Sequence, residues 1–306
     1  YSGASNNVNS GVTSQYNLDR WLVQNNTDGV ISVRQMNAAN TSASNYESGS
    51  APAGFTYSQK LTVSTADASI GSSQFAGIVH YVEGLNVADL NWGTANAKSI
   101  TFSFWVKSSI TGTYVIAFYN GAGDRQYTVT YTINSANTWQ YVTVTIPGDT
   151  SGTWYVNNGI GLSLRMWLAA GSTYTGGTLN TWVNAFTVSG NQTQWVSTLS
   201  ATFYITGVQL EVGTSATPFE FRLYTTELQL CQRYYWSGIA PGSGYYYWAW
   251  PLDVSSNYRR ITFPLPVELR TAGTVTVSGI TSGTFAGGYP AGSADGKLCS
   301  LVLDTT

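Results

Sequence analysis

The sequence predicts an all-β protein: a jelly-roll β-sandwich, then a short helix and a small C-terminal β domain. Three observations predict it. Short runs of alternating apolar and polar residues are separated throughout by Gly, Asn, Asp, Ser and Pro, which is the pattern of strands and turns. Of the 306 residues, 43% are hydrophobic and 14% aromatic, enough to build a large core, while only 9% are charged. The polar surface therefore rests on uncharged groups, with Ser and Thr supplying about a quarter of the chain. Such compositions are common in secreted all-β proteins and extracellular appendages. The absence of a fixed-period repeat favours a sandwich over a solenoid.

The elements follow in order. Gln15 to Val23 reads as an early strand, and Gly29 to Met36 alternates after it. Phe55 to Val63 and Phe75 to Val82 continue the pattern, before a loop from Glu83 to Asn91. The clearest strand is Ser99 to Lys107, with Ile100, Phe102, Phe104 and Val106 on one face. Tyr114 to Asn120 and Gln126 to Ile133 flank the turn Asn120-Gly121-Ala122-Gly123-Asp124. Trp139 to Ile146 stops at Pro147-Gly148-Asp149; Ile160 to Leu168, Thr181 to Val188 and Ala201 to Val212 complete the first domain, placed at residues 1–215. Residues 216–236 read as a linker carrying a helix, with Thr225 or Thr226 as its cap, Glu227 in its first turn, and Leu223, Leu230 and Tyr234 as a stripe. A small distal β domain, 237–306, has strands at Ile261 to Pro266, Thr274 to Ser278 and Lys297 to Leu303.

Thirteen Lys and Arg against fifteen Asp and Glu leave a net charge of -2. That excludes a duplex nucleic-acid binder, which needs clustered cations. No run of about 18 apolar residues exists, so no helical membrane insertion is expected. Position 1 is not Met and no signal peptide follows, so Tyr1 is expected to be internal to a longer chain or its first ordered residue. Cys231 and Cys299 form no disulfide framework and no zinc site; one disulfide or two thiols both remain open.

Catalysis finds little support. His80 lies in the strand-like run Ile78 to Val82 and reads as structural. Of the scattered acids, Glu83 and Asp89 flank one loop, without the clear pairing a glycosidase needs. No enzyme activity and no cofactor are expected. A structural Ca²⁺ is the one metal considered, with ligands from the Asn120–Asp124 turn and from Asp149; both segments are more simply turns. Aromatic residues carry more information. Sugars stack apolar faces on aromatic rings while their hydroxyls seek polar side chains. Trp92 beside Asn91 and Gly93, Trp154 and Tyr155 in a Gly/Asn-rich stretch, Tyr174 between glycines, and Trp195 near Gln192 and Gln194 are the glycan-contact candidates. Core or subunit packing is the alternative for each; Trp105 and Trp139, within strand patterns, are assigned to the core. The cluster Tyr245-Tyr246-Tyr247-Trp248-Ala249-Trp250 fits a trimer centre or core better than a receptor-binding tip.

Several segments carry a resemblance: Ser99 to Trp105, Asn137 to Tyr141, Thr145 to Trp154, Asn157 to Leu162, and above all Ala201 to Gly213 with Ala216 to Glu220, Arg222, Tyr224, Glu227-Leu228 and Cys231 to Tyr235. Across roughly Asp19 to Arg270 the chain resembles a family of bacteriophage and prophage fibre proteins with a carbohydrate-binding-module-like jelly roll. The family pattern often has another strand before the Asp19-Arg20-Trp21 motif, and no such strand is read here. The resemblance implies a virion surface protein, a tail fibre contributing to host-surface glycan adhesion, assembled as a homotrimer with other virion proteins. A capsid fibre or decoration protein is the alternative, as is a binding module of a secreted bacterial enzyme. It also favours assembly over a solvated linker for Glu220, Arg222, Glu227, Leu230, Arg233 and Tyr234. The low charge suits a neutral host polysaccharide.

Overall fold

Each alternating run becomes a strand because its apolar face can be buried only against another sheet. The computed structural model describes residues 6–8, 12–18, 20–42, 44, 46–188, 191–235, 252–255, 258–271 and 298–304. Two compact units divide the chain, Tyr1–Glu220 and Phe221–Thr306.

The first unit holds, in chain order, β1 (Asn6–Val8), β2 (Val12–Leu18), β3 (Trp21–Asn25), β4 (Val30–Asn37), β5 (Tyr57–Thr65), β6 (Phe75–Glu83), β7 (Ile100–Ser108), β8 (Gly112–Asn120), β9 (Gln126–Ile133), β10 (Gln140–Ile146), β11 (Ile160–Ala170), β12 (Trp182–Val183) and β13 (Thr202–Val212). They form two antiparallel sheets. The six-stranded sheet runs β1-β4-β5-β13-β7-β10 and the seven-stranded sheet β12-β9-β8-β11-β6-β3-β2. This is the expected jelly-roll sandwich. In the second unit, α1 (Tyr224–Gln232) precedes β14 (Leu252–Ser255), β15 (Tyr258–Pro264) and β16 (Leu298–Asp304), which pair in that order.

One continuous core lies between the two sheets. Ile100, Phe102, Phe104 and Val106 of β7 are at most 1% exposed, as their spacing predicts. Rings join the sheets across the core: Phe102 meets Phe118 at 5.8 Å, Phe104 meets Tyr131 at 5.4 Å and Tyr114 meets Phe203 at 5.8 Å between centroids. Each such pair adds about 0.5–1.5 kcal/mol beyond area burial. The buried Tyr114 hydroxyl, its pKa pushed up to about 12 by burial, donates to the Ile110 carbonyl at 2.8 Å.

Several expectations are corrected. Gln15 to Val23 is not one strand: β2 and β3 pair as a hairpin, so a strand does precede Trp21. Trp105 and Trp139 lie outside the core. Trp105 faces outward on β7 and packs on Tyr141 at 5.3 Å; Trp139 precedes β10, packs on Tyr204 and donates to the Gly49 carbonyl. The expected strand Thr181 to Val188 shrinks to β12. Beyond it, Thr187 N–H donates to Gln126 Oε1 and Val188 N–H to the Tyr174 carbonyl, so those groups are satisfied without a ladder. The helix starts at Tyr224 with Leu223 as N-cap and no side-chain cap, rather than with a Thr cap. Residues 213–220 bond back to β13 through Gln209 and Glu211. The Tyr245–Trp250 cluster and the strand expected at Thr274 to Ser278 lie outside the described residues.

Trp195 is wholly buried, and its indole donates to the Thr202 carbonyl at 3.3 Å. Trp195→Ala is expected to cost about 3–5 kcal/mol, read as a lowered guanidinium unfolding midpoint.

Candidate functional site

The seven-stranded sheet has a second hydrophobic face. On β11, Leu162, Leu164 and Met166 point into the core, while the alternate residues point outward. The ladder register aligns the outward set in rows. Leu22, Val79, Arg165, Ala117 and Thr128 form one row, and Gln24, Gly77, Trp167, Val115 and Thr130 the next. Gly77 leaves room for Trp167: a Cβ there would lie 3.1 Å from the indole and 2.7 Å from the Met166 carbonyl oxygen.

Over these rows runs the irregular segment 171–188, which brings Tyr174, Phe186 and Val188 onto the sheet. Phe75 packs edge-on against Trp167 at 5.4 Å and Tyr174 at 5.6 Å. Phe186, 41% exposed, packs on Tyr119 at 5.2 Å and Tyr174 at 5.6 Å. Arg165 stands among them, its guanidinium carbon 4.6 Å from the Tyr119 ring, 5.2 Å from Phe186 and 5.8 Å from Trp167. Cation–π attraction holds it there. Burial pushes the Tyr119 hydroxyl up to about 12, against the opposing influence of Arg165 and the nearby Trp167 indole. That proximity falls short of a hydrogen bond: Tyr119 Oη and Trp167 Nε1 are both buried without a hydrogen-bond partner, as is Gln24 Oε1.

The turn Gly171–Thr175 separates this cluster from an open groove of about 470 Å³, lined by Ser69, Ser172, Thr175, Gln194 and Ser197 with the apolar Ile70. Its volume falls within the range of small-ligand sites. Gln194 is committed to structure, bonding both backbone groups of Ala170.

The residues singled out from sequence separate accordingly. Tyr174 belongs to this face. Trp195 and Trp92 are corrected to buried positions that present no stacking surface. Trp92 instead anchors a knot at another edge, 4.5 Å from Trp154 and 5.3 Å from Trp182, and its indole donates to the Lys98 carbonyl. Trp154 is half-buried with its indole on the Ser151 carbonyl, and the adjacent Tyr155 is 40% exposed. Phe186, Arg165 and Trp167 were not singled out. Arg165 and Trp167 sit in an apolar strand run whose alternation puts both on one face but does not show which distant side chains meet them there.

The two turns considered for Ca²⁺ do not fit it. Both Asp149 oxygens accept from Arg125, at 2.6 and 2.8 Å. Asn120 closes the other turn: its Oδ1 accepts from the backbone N–H of Asp124 and Arg125, and its Nδ2 donates to the Asp124 carboxylate and the Thr153 carbonyl. Gly121 is required there, because a Cβ would lie 1.9 Å from the Ile160 carbonyl oxygen. Glu83 is buried at the end of β6, and His80 packs on Trp21 at 4.8 Å. In the second unit, Arg222 and Glu227 pair within one chain at 3.2 Å, and Arg233 donates to the Glu268 carbonyl. The backbone N–H of Glu220 donates to Gln209, Leu230 is exposed and Tyr234 is half-buried.

On the six-stranded sheet, Glu47 bonds Lys60 at 2.6 Å and accepts from the Tyr204 hydroxyl, while Lys107 lies 4.1 Å from the Tyr204 ring and donates to the Gly49 carbonyl. Burial would raise the Glu47 pKa, but the bonds from Lys60 and Tyr204 and the charges of Lys60 and Lys107 bring it below the usual value.

No protein-family model matches the chain, and no curated protein matches it. Solved structures do. The enzymatically active domain of bacteriophage CBA120 tailspike protein 4 aligns with a TM-score of 0.37 and 14% identity, over 66% of this chain and 20% of that one. The family 11 carbohydrate-binding module from Clostridium thermocellum, in complex with a β-1,3-1,4-mixed-linked tetrasaccharide, aligns at 0.32 and 11%, over 70% and 97%. TmCBM61 in complex with β-1,4-galactotriose aligns at 0.31 and 11%, over 63% and 88%. The chain thus spans a fifth of the tailspike structure. These likenesses concern the sandwich architecture, which the strand order and core establish independently.

Two outcomes are expected. Arg125→Met leaves the buried Asp149 charge without its partner and costs about 3–5 kcal/mol, read by urea denaturation. Because the folded-state pKa of Glu47 is depressed, its charge stabilises the fold above the ordinary value of 4.5, and that stability is lost as pH falls through the folded value. Glu47→Gln should therefore flatten the acid side of a Tm-against-pH profile.

Proposed function

We propose that the protein is a non-enzymatic, glycan-binding virion fibre protein, a tail fibre contributing to adhesion at the host surface. The carrying observation is the outer face of the seven-stranded sheet. There an exposed ring, Phe186, lies over a cation and unpaired polar groups, and a groove lined by hydroxyl groups adjoins it. A pyranose asks for that combination: a ring for its apolar face and a few fixed polar groups for its hydroxyls. The resemblance of Ala201 to Tyr235 to phage fibre proteins supports the virion assignment.

Fibre adhesion works by repetition, since linked copies raise the effective concentration of weak sites. The second unit offers a surface for self-association. Phe221, Leu223 and Tyr224 are 67%, 76% and 77% exposed, and no residue of α1 is buried. We assign this segment to a homotrimer, with other virion proteins as further partners. The same exposed segment favours the second reading, a capsid fibre or decoration protein with a structural role.

Light scattering on the full chain should give three times 32.9 kDa, and Leu223→Asp with Tyr224→Asp should shift the mass toward one chain. The trimer should retain glycans on an array, and Phe186→Ala should lower that retention at least several-fold with little change in Tm. A trimer that retains no glycan supports the structural reading instead.

A further inference from the structure

Two of the groups left unsatisfied on the outer face, those nearest Arg165, are donors; the third, Gln24 Oε1, is an acceptor on the far side of Gly77 in the Trp167 row. Trp167 Nε1 can only donate, the Tyr119 hydroxyl has a proton to donate, and neither has a partner. Arg165 is a third donor. Its Nε–H donates to Ser163 Oγ at 3.2 Å, and neither terminal nitrogen meets a protein acceptor among the described residues. Two other half-buried cations of the sandwich, Arg125 and Lys60, each hold a carboxylate. Arg165 pairs with no carboxylate among the described residues. Its ladder neighbours are Val79 and Ala117, and the acid on the same face of β6, Glu83, lies at the strand's end opposite Ile160.

We infer that this face takes an acidic glycan, one whose uronate-type carboxylate pairs with Arg165 while its sugar ring stacks on Phe186. The inference rests on the glycan-binding reading and names its ligand class. A carboxylate accepts only, so it complements the terminal N–H groups of Arg165, which meet no protein acceptor among the described residues. The planar guanidinium presents two parallel N–H groups that match a carboxylate's two oxygens. Tyr119, Trp167 and Phe186 hold that plane in place and shield it from water, which strengthens a charge pair relative to one in bulk solvent. The net charge of -2 describes the whole chain and hides this local cation. An acidic ligand departs from the neutral host polysaccharide expected from composition, and the titration below decides between them.

The test is calorimetric titration of the full chain at low salt with oligogalacturonate, its carboxyl-reduced neutral counterpart, and a sulfated oligosaccharide of similar length. The uronate is expected to bind at least tenfold more tightly than the reduced form, and to weaken as salt is added. Arg165→Gln should remove at least tenfold of uronate affinity and lower affinity for the reduced sugar several-fold less. Arg165→Lys, which keeps charge without the fork, should fall between; it also serves if Arg165→Gln does not fold. Equal binding of charged and neutral sugars, unaltered in both variants, overturns the acidic ligand and leaves glycan binding standing. Binding of the sulfated sugar without the uronate overturns the carboxylate. Binding of none of the three overturns this inference, and an empty glycan array on the same sample extends that failure to glycan binding itself.

Discussion

The layer of rings between the two sheets is the constraint on which the rest of the structure depends. Phe102 and Phe104 of β7 meet Phe118 of β8 and Tyr131 of β9. With 9% of its residues charged, the chain draws little on ion pairs, and burial of apolar area dominates its stability. The layer fixes which face of each strand points inward. By the period of two, it thereby fixes which residues appear on the outside. The row that carries Arg165 exists because its neighbours Leu164 and Met166 are buried on the other side of β11.

The charges that are present hold loops to sheets. Arg125 ties the Asp149 loop to the β8–β9 hairpin, and Lys107 with Trp139 ties Gly49 to the six-stranded sheet. The charged groups of these clusters each meet a partner within the fold, which marks them as structural. The outer face of the seven-stranded sheet differs. Its cation is held by rings rather than by an acid, and donors beneath it are left over. The proposed binding surface rests on that unpaired cation beside an exposed ring and an open groove.

Much of the sandwich was legible in sequence. β7, the β8–β9 turn and the strands β11 and β13 follow from alternation and Gly/Asn signals, because pleating and turn conformation are local properties. The loop aromatics were less legible. Trp92, Trp154 and Trp195 look alike in sequence, each in a run rich in Gly, Asn, Ser or Gln. Yet Trp195 is in the core, Trp92 is buried in an aromatic knot and Trp154 is half-exposed. Whether a loop ring is covered depends on chain remote in sequence, as when Trp182 arrives against Trp92 and Trp154.

The sequence by itself determined the all-β class, the inward face of the strands and the near-absence of clustered charge, because each depends on composition or on residues a few positions apart. Tertiary structure decided the rest. It placed Trp105 and Trp139 outside the core, and it laid Phe186 from the 171–188 segment over Arg165, Tyr119 and Trp167. That grouping joins strands β8 and β11 to a distant loop, and its donors are unsatisfied only because of what the neighbouring strands fail to offer them. Local pattern encodes which way a side chain points; the pairing of strands decides what it meets.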